Sequence, residues 1–137
     1  MTFEQTIVET ISERHRDVQA LYLFGSHGTE YEWPQSDVDV AMLLPPAAAK
    51  HLSTMDRAAT QTELARRLAK PVDLVNLRRV STVLQKEVVM ADRRIHTVDE
   101  YAAEVFEMHV LSLYQKLNEE RREILKEGLG SGRFYDV

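Results

Sequence analysis

Asp37 and Asp39 stand two residues apart in the stretch FGSHGTEYEWPQSDVDVAMLL (24–44), at the head of an apolar run. A β-strand alternates its side chains, so these two carboxylates share one face, with Cα atoms roughly 6.6 Å apart. Like charges that close repel, and partial burial would raise the pKa of one of them. A divalent cation converts the repulsion into shared ligation by carboxylate oxygens. An isolated D-x-D is usually two solvent-facing acids at a frayed strand start, so other residues must carry the case for chemistry.

Two other features carry it. Gly25-Ser26 ends the preceding apolar segment, where a turn can present backbone N–H groups to a phosphate. Glycine allows the close approach, and a serine hydroxyl can donate to a phosphate oxygen. The whole pattern G-S-x10-D-x-D arises at a given spacing in roughly one chain in several hundred from background frequencies. Asp73 then interrupts the apolar segment PVDLVNL (71–77). A lone acid in a buried strand is costly without a partner. If that strand lies beside the one carrying Asp39, three carboxylates converge. Three carboxylates around two ions suit phosphoryl or nucleotidyl transfer, one ion activating a hydroxyl and the other holding a triphosphate.

The elements that must position these residues follow from periodicity and breakers. Phe3, Ile7 and Ile11 recur every four residues behind Thr2, predicting a short amphipathic helix. VQALYLF (18–24) reads as a strand ending at Gly25, residues 27–36 as a loop, and Val38 to Leu44 as a second strand stopped by Pro45-Pro46. Residues 51–69 read as a helix that Pro71 ends, Val72 to Leu77 as a third strand, and 81–91 as a helix capped by Ser81. Arg93 to Thr97 fits a short edge strand. A long helix is expected from Asp99 to Glu127, about 43 Å if continuous. Its apolar residues form two sets: Phe106, Val110, Leu113, Leu117 and Ile124 on one face, Tyr101, Val105 and Met108 on another. So broad a band suggests burial on two sides, against the sheet and against a partner. The predicted fold class is α+β (mixed α/β), with one domain over 1–127. The glycine-containing residues 128–137 are expected to be a flexible tail in which Phe134 and Tyr135 could dock.

The totals narrow the function. With 137 residues, 44% hydrophobic and 28% charged, the chain can build one ordinary core. There is no apolar run long enough to span a membrane and no basic leader, so a cytoplasmic protein is expected. No cysteine is present, and the five histidines form no H-x-x-x-H pair. Any metal would therefore be held by oxygen, favouring magnesium or manganese over zinc. A net charge of −5 argues against direct nucleic-acid binding but leaves a basic protein partner open.

The G-S-x10-D-V-D pattern with a later strand aspartate resembles the minimal nucleotidyltransferase (MNT) group of the DNA polymerase β-like superfamily. More narrowly, it resembles MNT antitoxins paired with HEPN-domain ribonuclease toxins, over about residues 1–110. The resemblance implies a small mixed sheet with helices mainly on one face. It implies that Gly25 and Ser26 bind the triphosphate, Asp37 and Asp39 hold both metal ions, and Asp73 ligates the catalytic one. It also implies ATP as donor, two Mg2+ ions (or Mn2+), and AMP transfer to a tyrosine of a toxin encoded by the adjacent gene, in a hetero-oligomeric complex. Many relatives carry basic residues soon after Gly-Ser, whereas His27, Gly28, Thr29 and Glu30 follow here. Lys86, Arg78 and Arg79 are the candidates to replace them, and His27 is a candidate nucleotide contact. The alternatives are a non-catalytic antitoxin that occludes its toxin, and a small-molecule nucleotidyltransferase completed by a partner subunit. Too little chain follows Thr97 to build a second, acceptor-binding domain.

Overall fold

The computed structural model describes residues 1–25 and 37–131, with side chains to residue 126. Helix α1 (Phe3–Arg14) starts at Thr2 through a reciprocal capping box with Gln5. Strands β1 (Ala20–Phe24) and β2 (Val38–Leu43) follow. A short helix that was not expected, α2 (Pro46–His51), comes next, and the helix expected over 51–69 is α3 (Thr54–Leu68). Pro46 starts α2 because proline is tolerated in a first helical turn. Ser53 breaks the run by capping α3, its Oγ accepting from the Asp56 amide at 3.0 Å. Strand β3 (Val72–Asn76), a 3-10 turn (Leu77–Arg79), α4 (Thr82–Met90), β4 (Arg94–Thr97) and α5 (Glu100–Ser131) complete the chain. Ser81 caps α4 as expected. Helix α5 continues past the expected end at 127 to Ser131; Phe134 and Tyr135 lie outside the described residues.

The strands form one mixed sheet in the order β3-β2-β1-β4. β1 pairs antiparallel with β2 and β4, and β2 pairs parallel with β3. The α+β class holds, but the helices are not confined to one face. Leu21, Leu23, Val40, Met42 and Leu74 pack under α1 and α3, around Ile7, Ile11 and Leu64. The alternate residues Ala20, Tyr22, Phe24, Ala41 and Leu43 pack with Val88 of α4 and with Ala103, Phe106 and Val110 of α5. The reason is visible in β1, where all five residues of ALYLF are buried. A strand without polar alternation needs cover on both sides. The Tyr22 hydroxyl and Arg94 both donate to Glu107 Oε2, at 3.0 and 2.7 Å, which ties α5 to the sheet. Among the described residues no helix is long and apolar enough to cross a membrane.

β3 is an edge strand, and its outward backbone groups at Leu74 are satisfied by side chains of α3. Gln61 Oε1 accepts from the Leu74 amide at 2.9 Å, and Arg57 donates to the Leu74 carbonyl at 2.9 Å. This clamp sits one residue from Asp73. Gln61→Leu leaves the Leu74 amide unpaired, and the expected cost is about 1–3 kcal/mol of stability by urea unfolding. A loss below about 0.3 kcal/mol would show that the clamp is not holding the strand.

Candidate active site

β2 begins at Val38, so Asp37 immediately precedes it, while Asp39 lies inside the strand. Val38 and Val40 point into the core under α1 and α3; alternation places Asp39 on the opposite face, toward the α4 and α5 side. The same rule places Asp73 on that face, since its neighbours Val72 and Leu74 are in the first core. The ladder makes Asp39 the direct neighbour of Asp73 on one side and of Phe24 on the other. Asp39 is half-buried, whereas Asp37 and Asp73 are exposed. Asp73 is therefore not the buried acid that its apolar surroundings in sequence suggest. It lies at the open margin of the sheet, and register rather than burial brings it to Asp39.

Burial, then the charges of Asp73 and Asp37, push the Asp39 carboxyl up to about 6. Burial contributes most, and the like charges of the two neighbouring acids add to it. Gly25 closes the other side. It has φ +76°, and a Cβ placed on it would overlap the Asp39 carboxylate at Oδ2. Gly25, directly after β1, thus lies against the central acid, and only glycine fits there. Ser26 and His27 fall outside the described residues.

The donor set is all oxygen, which suits magnesium or manganese. Among the described residues, no three acidic or histidine side chains already converge into a formed metal-binding group. The arrangement is an open one: an in-register pair with a third acid at its edge, their mutual repulsion marking where positive charge fits.

The three cations suggested for triphosphate neutralisation separate clearly. Arg78 donates to the Leu44 carbonyl and to Gln19 Oε1, and its guanidinium stacks 5.4 Å from the centre of the Phe106 ring. It is a structural residue joining β2 to α5. Lys86 lies 4.8 Å over the Tyr114 ring. Arg79 alone of the three lines a cleft with Asp73, of about 500 Å3 along the edge of β3. Lys50, Arg57 and Asn76 also line that cleft; nothing in their sequence surroundings marks them as functional.

Helix α5 carries both expected apolar faces. Phe106 and Val110 are buried on the sheet, and Leu113, Leu117 and Ile124 continue their stripe as exposed residues. On the opposite side Tyr101 is 79% exposed and Met108 68% exposed.

Residues 5–101 match the family model for the polymerase beta nucleotidyltransferase domain. The protein adenylyltransferase MntA of Shewanella oneidensis is 33% identical over 124 residues, covering 90% of this chain and 86% of MntA. A chain from the crystal structure of a toxin–antitoxin with AMP-PNP superposes with a TM-score of 0.76 at 30% identity, covering 92% of this chain and 98% of that one. A chain from a complex of tri-AMPylated Shewanella oneidensis HEPN toxin with MNT antitoxin superposes with a TM-score of 0.72 at 30% identity. That match covers 93% of this chain and 96% of the other.

Proposed function

The chain belongs to the polymerase β nucleotidyltransferase family, and we propose that it is an antitoxin adenylyltransferase, transferring AMP from ATP to a tyrosine of a HEPN-domain ribonuclease toxin in the cytoplasm. The observation that carries the reading is the direct register of Asp39 with Asp73, closed on its other side by Gly25. The 33% identity to a protein adenylyltransferase supports the same chemistry.

Asp37, Asp39 and Asp73 would hold two divalent cations, which when bound supply positive charge to the triphosphate and acidify the acceptor hydroxyl. The Gly25 turn lets backbone come close to the phosphates, with Ser26 as the next donor. The tyrosine oxygen attacks the α-phosphorus, the bond to the β-phosphate bridging oxygen breaks, and pyrophosphate leaves. Asp39, held half out of water between two strands, keeps the centre in place during the exchange. The exposed apolar residues of α5 supply the docking surface for the toxin. Relatives found in toxin–antitoxin complexes support that occupant.

The test is ATP labelled at the α- or the γ-phosphate, incubated with magnesium, this protein and the neighbouring gene's product. Label transferred from the α position alone, with AMP-sized mass steps on the partner, is the expected result. Met108→Glu with Leu117→Glu should weaken the complex by about tenfold or more, since each buries a charge at an apolar contact. A tight complex without transfer would instead establish neutralisation by occlusion.

A further inference from the structure

The cleft beside Asp73 is not used by the chemistry above. It runs along β3 away from Gly25, on the far side of Asp73 from Asp39. Its size, about 500 Å3, falls in the range that takes a small organic ligand. Three cations line it, Lys50, Arg57 and Arg79, against one acid, Asp73. Arg57 is committed to the Leu74 carbonyl and Gln61. Lys50 and Arg79 are exposed, and among the described residues neither has an ion-pair or hydrogen-bond partner. Asn76, also in the wall, donates through Nδ2 to the Ala49 carbonyl at 2.8 Å. Among the described residues the cleft therefore offers two positive charges without a partner, next to an acid at the reacting centre. An AMP group brings the complementary phosphodiester charge.

We propose that this cleft is an acceptor-side subsite for an AMP group already attached to the toxin, with Lys50 and Arg79 on its phosphate. The inference rests on the adenylyltransferase reading. A relative's toxin carries three AMP groups, so every transfer after the first meets an acceptor that already bears a phosphate. In such a transfer the next acceptor hydroxyl bonds to the α-phosphorus of a second ATP, pyrophosphate leaves with the bridging electron pair, and the hydroxyl proton passes to solvent. The subsite holds the earlier AMP while this happens and so favours repeated addition over release after one.

The experiment compares two acceptors, full-length toxin without AMP and the same toxin carrying one AMP, purified after limiting ATP. Each is assayed with the wild-type protein, with Lys50→Ala/Arg79→Ala, and with the charge-preserving Lys50→Arg/Arg79→Lys. The readout is kcat/KM for the second transfer divided by that for the first. The expected ratio falls about tenfold or more in the alanine pair, mainly through KM, and returns to within about threefold of wild type in the charge-preserving pair. An unchanged ratio, whether both steps slow equally or neither slows, would overturn the subsite while leaving the adenylyltransferase reading intact. Wild-type protein that modifies neither acceptor would overturn both.

Discussion

Asp39→Asn lowers AMP transfer by about a thousandfold or more and at the same time stabilises the cation-free protein at neutral pH. The first effect follows from position. Asp39 is the central acid, paired in register with Asp73 and touched by the Gly25 turn. An amide cannot supply the negative charge that a bound cation needs, and about 4 kcal/mol of transition-state stabilisation is a reasonable scale for that loss. The second effect follows from the carboxyl being raised to about 6 in the folded protein by burial and by the two neighbouring acids. A raised carboxyl pKa means that the folded state holds its proton more tightly than the unfolded state does. Its favourable contribution is complete below about pH 4 and is lost as pH rises through about 6. Above that, charged Asp39 costs stability, and asparagine removes the cost. Because the group is only half-buried, solvent absorbs part of the effect, and a Tm gain of about 2–5 °C at pH 7.5 is expected, vanishing near pH 4. Magnesium should raise the wild-type Tm and leave the variant nearly unmoved. Wild-type transfer by Asp39→Asn would remove the carboxylate assignment altogether; calorimetry at three pH values checks the rest.

Gly25→Ala is expected to lower kcat by about a hundredfold while leaving a folded protein. The new methyl group overlaps the Asp39 carboxylate, and φ +76° is a conformation that alanine resists. Left-handed backbone costs about 1–2 kcal/mol for a residue with a Cβ. The carboxylate must swing away or the end of β1 must shift, and misplacement by about 1 Å is enough to cost two orders of magnitude in rate. The loss should appear in kcat with binding of the toxin unchanged, because the substitution leaves the exposed α5 residues Met108 and Leu117 in place. Steady-state kinetics with a pull-down separates the two. A native rate in Gly25→Ala would mean that the turn does not set the position of Asp39 during transfer.

The order of elements was readable because it depends on local pattern. The four-residue spacing of Phe3, Ile7 and Ile11, the cap at Ser81 and the breaks at Gly25, Pro45 and Pro71 all act on neighbouring residues. The chemistry of the site was readable for a related reason: a D-x-D at a strand head places two acids on one face whatever the rest of the chain does. Even the two-sided cover of the sheet was present in ALYLF, whose unbroken apolar run demands it, although helices mainly on one face were expected. What the tertiary structure decided depends on residues far apart in sequence. The parallel register of β2 on β3 sets Asp73 opposite Asp39, and one residue of slip would turn Asp73 to the other face. Arg78, Arg79 and Lys86 are equivalent as sequence. Only packing consumes Arg78 on Leu44, Gln19 and Phe106, sets Lys86 on Tyr114, and leaves Arg79 in the cleft with Lys50. A side chain's type is local, but whether its charge is spent or free is settled by what the fold brings beside it.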